Sequence, residues 1–458
     1  MWSSPSDSPA RERAHFPPGF LWGVATSAYQ IEGSPLADGA GESNWRRFAH
    51  TPGRITDGST GDVACDHYKR YGEDVEIMAR LGVNAYRFSL AWSRILPHGR
   101  GELNRRGIDF YSRLVDSLLE HGIRPFVTLH HWDMPAALED SGGWARRESA
   151  GWFADYARIA FRALGDRVSL WATINEPWVI AHAGYVAGTH APGRRDPVEA
   201  AKVAHNLLRA HGQAVRVARS EGVKQIGIVV NLIPKEPATE SPEDRAASDR
   251  SGVYVNSQYL DPVISGRIPE KLPAIYGSAW KEWPAGDMKE ISRPIDFVGV
   301  NYYTREVVRS DDQAVPDRAS PVRLPDRLYT DTGWEVYPEG LVHTLLDVKR
   351  KYGRVPLFLT ENGAAFPDPP HAHGARVHDP LRVEYYRQHL AAALEAIRLG
   401  VDLRGYFAWS LLDNMEWACG YTKRFGLVHV DFDTQKRTLK ESALFYRDVI
   451  ERGGANLV

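Results

Sequence analysis

Apolar and polar positions along this chain repeat one unit. An amphipathic stretch with helical spacing is followed by a glycine and then by a short, nearly all-apolar run. Glu73–Leu81 leads through Gly82 to Val83–Phe88, and Ile108–His121 leads through Gly122 to Ile123–Leu129. Ser149–Leu164, Gly165 and Val168–Ile174 repeat the unit, as do Ala200–Glu221, Gly222 and Ile226–Asn231. It returns in Glu339–Tyr352, Gly353 and Val355–Thr360, and in Leu381–Leu399, Gly400 and Leu403–Ser410. A glycine after a helix suits the left-handed C′ position. Two further apolar runs, Phe20–Thr26 and Ile295–Asn301, bring the expected strands to eight.

Strands alternating with helices predict a parallel sheet, and eight of them predict a closed (β/α)8 barrel in the α/β class. A doubly wound open sheet is disfavoured, because no G-x-G-x-x-G follows the first strand. The length of 458 residues alone suggests about three domains, but a barrel with insertions also runs past about 400 residues. No linker divides the chain, so residues 15–458 are expected to form one barrel domain after a disordered tail, residues 1–14. Long Gly-, Pro- and Asp-rich connections follow strands at 36–62, 304–332 and 364–380. Connections of that length are usually functional or disordered.

The strand ends carry the chemistry. Val355–Leu359 reads as a strand buried on both faces that stops at Thr360, followed by Glu361 and then the turn pair Asn362-Gly363. Ser169–Ile174 has the same grammar and delivers Asn175, Glu176 and Pro177. Parallel barrel strands share one carboxyl-end face, and that face holds the active site. Two carboxylates facing each other across a cleft is the arrangement that hydrolyses glycosidic bonds. The other strand ends supply Gln30 and Glu32, Arg87, His130 and His131, Asn231, Asn301 to Tyr303, Trp409, Asp413 and Glu416-Trp417. Amides, His and Glu suit a polyhydroxylated ligand, and Trp suits its flat faces.

Composition narrows the classes. A net charge of −2 gives no footprint for nucleic acid or a polybasic membrane patch. Two cysteines, Cys65 and Cys419, make neither a disulfide framework nor a Cys-rich metal site. His371 and His373 resemble a metal pair without a third ligand. The first 14 residues lack an apolar core, and no apolar run reaches 18 residues, so a cytoplasmic protein without a membrane span is expected.

Six motifs, in order, give the chain a resemblance to glycoside hydrolase family 1, the β-glucosidase family. They are the stretches 16–33, Tyr86–Arg94, His131–Pro135, Thr173–Trp178, Thr360–Gly363 and Trp409–Trp417. The resemblance covers nearly the whole chain. It implies a retaining β-glycosidase that releases β-D-glucose from non-reducing ends of β-glucosides, cellobiose and short cello-oligosaccharides, with no cofactor and no metal. It implies Glu361 as nucleophile and Glu176 as acid/base. Gln30, His131, Asn175, Asn301, Tyr303, Trp409, Glu416 and Trp417 are implied around the sugar, with Arg87 and Tyr303 supporting the nucleophile. Trp178 and Trp334 are implied on the leaving-group side.

A retaining pair stands about 5–5.5 Å apart. At an effective dielectric near 20, like charges at that distance repel by roughly 3 kcal/mol, about two pKa units. One Glu therefore keeps its proton, and an Arg and a Tyr hydroxyl beside Glu361 are expected to lower its pKa. Glu416 would repel a 6-phosphate, which disfavours a phospho-sugar hydrolase. Retention of both carboxylates disfavours a catalytically silent sugar-binding barrel.

Overall fold

A computed structural model describes residues 15–372 and 374–457. The expected N-terminal tail and His373 lie outside the described residues. Eight strands form the inner wall: β1 (Leu21–Ala25), β2 (Ala85–Ser89), β3 (Arg124–His130), β4 (Leu170–Asn175), β5 (Gln225–Asn231), β6 (Phe297–Asn301), β7 (Leu357–Asn362) and β8 (Leu403–Trp409). Every neighbouring pair is parallel, and β8 pairs with β1, so the sheet closes into the expected barrel.

The outer layer follows the helical spacing: α1 (His67–Arg80), α2 (Arg105–Glu120), α3 (Ser149–Leu164), α4 (Pro197–Ser220), α5 (Pro338–Tyr352), α6 (Pro380–Arg398) and α7 (Glu441–Glu451). α1 starts six residues before the expected Glu73. Gly72 looks like a boundary in sequence, but it lies on an open face of the helix, where a glycine costs only about 1 kcal/mol. The β5–β6 connection contains helices Pro242–Gly252 and Ala285–Ile291, which the spacing does not announce. The first is polar nearly throughout, so it lacks the apolar stripe that marks a packed helix.

The glycines after the helices take positive φ at Gly82, Gly122, Gly222, Gly353 and Gly400, but Gly165 stays at φ −70°. Space explains that exception, since a Cβ there would come within 2.4 Å of the Phe161 carbonyl oxygen. β7 also runs further than expected. Asn362 is its last residue and is pinned, donating to the Tyr302 carbonyl at 2.7 Å and accepting from the Tyr406 hydroxyl at 2.5 Å. Glu361 is therefore inside the strand rather than after it.

Phe126, Phe297, Phe358 and Phe407 fill the barrel interior beside Ala25, Ala85, Ala172 and Val229. Their rings meet edge to face at 5.1–5.9 Å, the geometry aromatic pairs prefer. This plug forms the floor under the site. No helix among the described residues is long and apolar enough to cross a membrane.

Phe126 touches three of the other rings and has 0% exposure. Phe126→Ala is expected to destabilise the fold by about 3–5 kcal/mol. Denaturant unfolding measures it, and a change below about 1 kcal/mol would show that the plug is not packed as described.

Candidate active site

β4 and β7, which carry the two expected carboxylates, are the strands whose ladders slip. The β4–β5 register shifts between Ala172 and Asn175, and the β6–β7 register shifts between Leu359 and Glu361. Such irregularities re-aim side chains at the rim of a sheet. Glu176, just past β4, sits at φ 46°, ψ 67°, a left-handed conformation costly for a residue with a Cβ. It caps the short helix Pro177–Tyr185, and Pro177 at the first helical position lacks an N–H to satisfy. Trp132 and Trp417 also hold positive φ.

The two carboxyls meet on a shared network. Arg87, on β2 with 0% exposure, donates to Glu361 Oε1 at 2.6 Å and to Asn175 Oδ1 at 2.7 Å. Its Nε donates to Thr128 Oγ1 at 3.1 Å. Tyr303 donates its hydroxyl to Glu361 Oε2 at 2.6 Å. The Asn301 amide donates to Glu176 Oε1 at 2.7 Å, and the same side chain hydrogen-bonds Glu361. Thr360 fixes the orientation of that amide by donating to its carbonyl oxygen at 2.7 Å.

A second cluster adjoins the first. Asn175 donates to His131 Nε2 at 3.1 Å. The His131 ring stacks near Trp409 and Trp417, with centroids 5.7 and 5.9 Å away and planes 21° apart in both cases. Gln30 reaches Glu416 Oε2 at 3.5 Å and is held by Asn414 and the Met415 carbonyl. Trp334 packs against Tyr303 at 5.0 Å. Trp178 turns elsewhere: it stacks on His182 at 4.8 Å and meets Tyr254 edge-on.

The rim is less uniformly polar than the sequence suggests. Glu32 is bound by Arg94 at 2.9 Å and Tyr111 at 2.6 Å, and Tyr302 donates to the Tyr337 carbonyl. His130 is packed among Trp92, Trp144 and Phe153. Strand alternation accounts for this, because His130 and Tyr302 each neighbour a residue that faces the carboxyls and so point the other way. Trp132, Phe425 and Asn414 join the site without having been singled out. Trp132 donates to the Asn175 carbonyl at 3.0 Å, and its only sequence signal is its place in the His131–Pro135 motif. His371 pairs with Asp431 at 2.9 Å, near Asp433 and away from the carboxyls.

Burial sets the charge states. It pushes Glu176 up to about 8, and the neighbouring Glu361 adds to the shift. Burial also raises Glu361, while Arg87 and the Tyr303 hydroxyl pull it back down. The expectation that Arg87 and Tyr303 lower this group therefore holds for their own effect but not for the net direction, because desolvation of a fully enclosed carboxyl is larger. Burial and the Glu361 charge push Glu416 up to about 8. His131 is held well below its ordinary value by burial and by Arg87, so it is neutral.

The family model described as Glycosyl hydrolase family 1 matches residues 12–455. The chain belongs to that family. It is 52% identical over 444 residues to beta-glucosidase A of Thermotoga maritima, covering 96% of this chain and 98% of that relative. It is 50% identical over 444 residues to a 1,4-beta-D-glucan glucohydrolase of Thermotoga neapolitana, covering 96% and 99%. The solved Thermotoga maritima beta-glucosidase in complex with glucoimidazole superposes with a TM-score of 0.93 at 51% identity, over 96% of this chain and 99% of that one. The family 1 barrel is thus present in full, and the carboxyl pair sits at its carboxyl-end face.

Neutralising Glu361 removes the like charge that helps hold the proton on Glu176. Carbon-13 NMR titration is expected to place Glu176 near 8 in the wild type and lower in Glu361→Gln. An unchanged midpoint would show that the two carboxyls do not interact.

Proposed function

We infer that this chain is a retaining β-glucosidase that hydrolyses terminal non-reducing β-D-glucosyl residues. One observation carries the reading: the Asn301 side chain hydrogen-bonds both Glu176 and Glu361. A single amide serving two carboxyls suits the close spacing of a retaining pair, about 5–5.5 Å, rather than the wider gap an inverting enzyme leaves for water.

Glu361 is the nucleophile. Two charge-assisted donors, Arg87 and Tyr303, occupy its two oxygens at 2.6 Å, and they favour its ionised form. Glu176 lacks such a cation contact and keeps its proton up to about 8. In the first step Glu361 attacks the anomeric carbon while the bond to the leaving oxygen breaks, and that oxygen takes the Glu176 proton. Esterification removes the charge of Glu361, so Glu176 then holds its next proton less tightly than before. It accepts one from water as the water oxygen attacks the anomeric carbon and the Glu361 ester bond breaks. Two inversions leave the sugar with its starting configuration.

The sugar-holding roles follow from what each group can still offer. His131 accepts from Asn175 at Nε2, so the proton is on Nδ1, which is buried and has no partner among the described residues. It is free to donate to a hydroxyl. Glu416 and Gln30 present a second acceptor and donor set, and Trp409 and Trp417 present flat faces. Glu416 is a carboxylic acid where a 6-phosphate would need a cation, so a plain sugar is the substrate. Asn175 and Asn301 are shared between the sugar and the carboxyls. Trp334, against Tyr303, lines the leaving-group side, and Trp178 stands behind it on the helix that follows Glu176. Short β-1,4-glucans such as cellobiose are the substrates proposed, in keeping with the name of the Thermotoga neapolitana relative.

Glu361→Gly is expected to hydrolyse aryl β-glucosides only at background rate, and azide is expected to yield the α-glucosyl azide. Glu176→Gln is expected to lose about 10²–10⁴-fold on poor leaving groups, the usual worth of a general acid, and little in the first step on dinitrophenyl glucoside. In the wild type, kcat/KM is expected to fall as pH rises through about 8, where Glu176 loses its proton. Normal turnover by Glu361→Gly sinks the assignment.

A further inference from the structure

Tyr303 aims its hydroxyl at Glu361 from beyond the end of β6, on backbone that the barrel ladder no longer holds. A second segment, 334–337, holds it instead. The Tyr302 hydroxyl donates to the Tyr337 carbonyl at 2.6 Å, and Thr304 Oγ1 donates to the Glu335 carbonyl at 2.9 Å. The rings of Tyr303 and Trp334 lie between these bonds, 5.0 Å apart. Arg305 closes the seam. Its Nε and Nη2 donate to the two Glu335 carboxylate oxygens at 2.9 and 3.0 Å, and its guanidinium lies 3.8 Å over the Tyr337 ring. The Arg305 and Glu335 side chains are 7% and 5% exposed.

A forked Arg–carboxylate pair fixes direction as well as distance. A buried pair of this kind is often no more stabilising than apolar residues of the same volume. Geometry, rather than stability, is then the better reason for placing it two residues from Tyr303 and next to Trp334. We propose that the Arg305–Glu335 pair is a positioning clamp for catalysis, which locks the segment after β6 against residues 334–337 and so aims the Tyr303 hydroxyl at Glu361. The proposal rests on the reading of Glu361 as nucleophile, and the test separates the two.

Loosening the clamp lengthens the Tyr303–Glu361 bond, which favours the ionised form of Glu361. The groups that face Glu361 stay in place: Arg87 from β2, Asn301 from β6, Glu176 beyond β4 and Glu416 beyond β8. So do those facing the clamp: Glu236 at 2.6 Å from Arg305, Arg327 at 3.6 Å from Glu335, and Tyr337 with Glu339 near it.

The measurement is the pH profile of kcat/KM on dinitrophenyl β-glucoside for wild type, Tyr303→Phe, Glu335→Gln, Arg305→Lys and the Tyr303→Phe/Glu335→Gln double variant, with thermal unfolding alongside. Tyr303→Phe is expected to move the acidic limb up by about one pH unit, on the order of one charge-assisted hydrogen bond. Glu335→Gln and Arg305→Lys are expected to move it up by about half a unit, roughly a threefold loss at the acidic end, with the basic limb unmoved. In the Tyr303→Phe background Glu335→Gln is expected to move it no further. A purely structural role lowers the unfolding temperature without shifting the limb. The clamp is overturned if Tyr303→Phe shifts the limb while both clamp variants leave it in place, or if Glu335→Gln shifts it again in the Tyr303→Phe background. If Tyr303→Phe itself shifts nothing, the reading of the nucleophile's partner fails, and the clamp with it. Arg305→Lys keeps the charge, so the comparison survives if Glu335→Gln does not fold.

Discussion

Arg87 is fully buried on β2, and its charge reaches two buried carboxyls, Glu361 directly and Glu176 through the intervening network. One enclosed cation beside two enclosed acids leaves room for one negative charge. The second acid holds a proton because ionising it would add both desolvation and like-charge repulsion. Contact decides which acid ionises. Arg87 and Tyr303 take both oxygens of Glu361, whereas Glu176 receives only a neutral amide. The division between nucleophile and acid is therefore set by donors, not by the carboxyls themselves.

Holding that geometry takes a rigid floor and a few departures from regularity. The aromatic plug fixes the strand ends, and strand ladders position side chains better than loops do. Register shifts on β4 and β7 then turn the carboxyls inward, and Glu176 accepts a left-handed backbone. Arg87, Asn175, Asn301 and Thr360 lie on four strands and are cross-linked by hydrogen bonds. Displacing any one of them disturbs both carboxyls.

The barrel was legible because helices with apolar stripes and all-apolar strands have distinct periods. It was least legible where the stripe is absent, as in Pro242–Gly252, and where local residues mislead, as at Gly72. The carboxyl pair was legible because a Glu ending a buried run has few structural uses. Its neighbours were harder. The sequence places His130 and His131, or Tyr302 and Tyr303, equally well at the rim, and only the pleat decides which member faces the site. Trp178 and Trp334 show the other limit. Both come from motif positions, but only Trp334 touches a residue that contacts a carboxyl. Loops return side chains to the barrel by contacts that have no sequence period.

The site and its framework also pull stability in opposite directions with pH. Burial raises Glu176 and Glu416 to about 8, so the folded chain keeps protons that the unfolded chain releases near its ordinary carboxyl range. Their contribution is full below that range and is lost as pH rises through about 8. Asp74 and Asp413 behave in reverse. Burial opposes their ionisation, but His67 and Arg437 around Asp74, and Lys440, Arg424 and Arg382 around Asp413, hold both below the ordinary value. Their contribution is full above the ordinary range and is lost as pH falls through their folded values. Asp413 directly precedes Asn414 and Glu416, so the ion pairs that fix that loop weaken in acid, while the acids it presents destabilise the fold in base. The range in which the framework is intact and Glu176 is still protonated is the range in which the proposed chemistry can run.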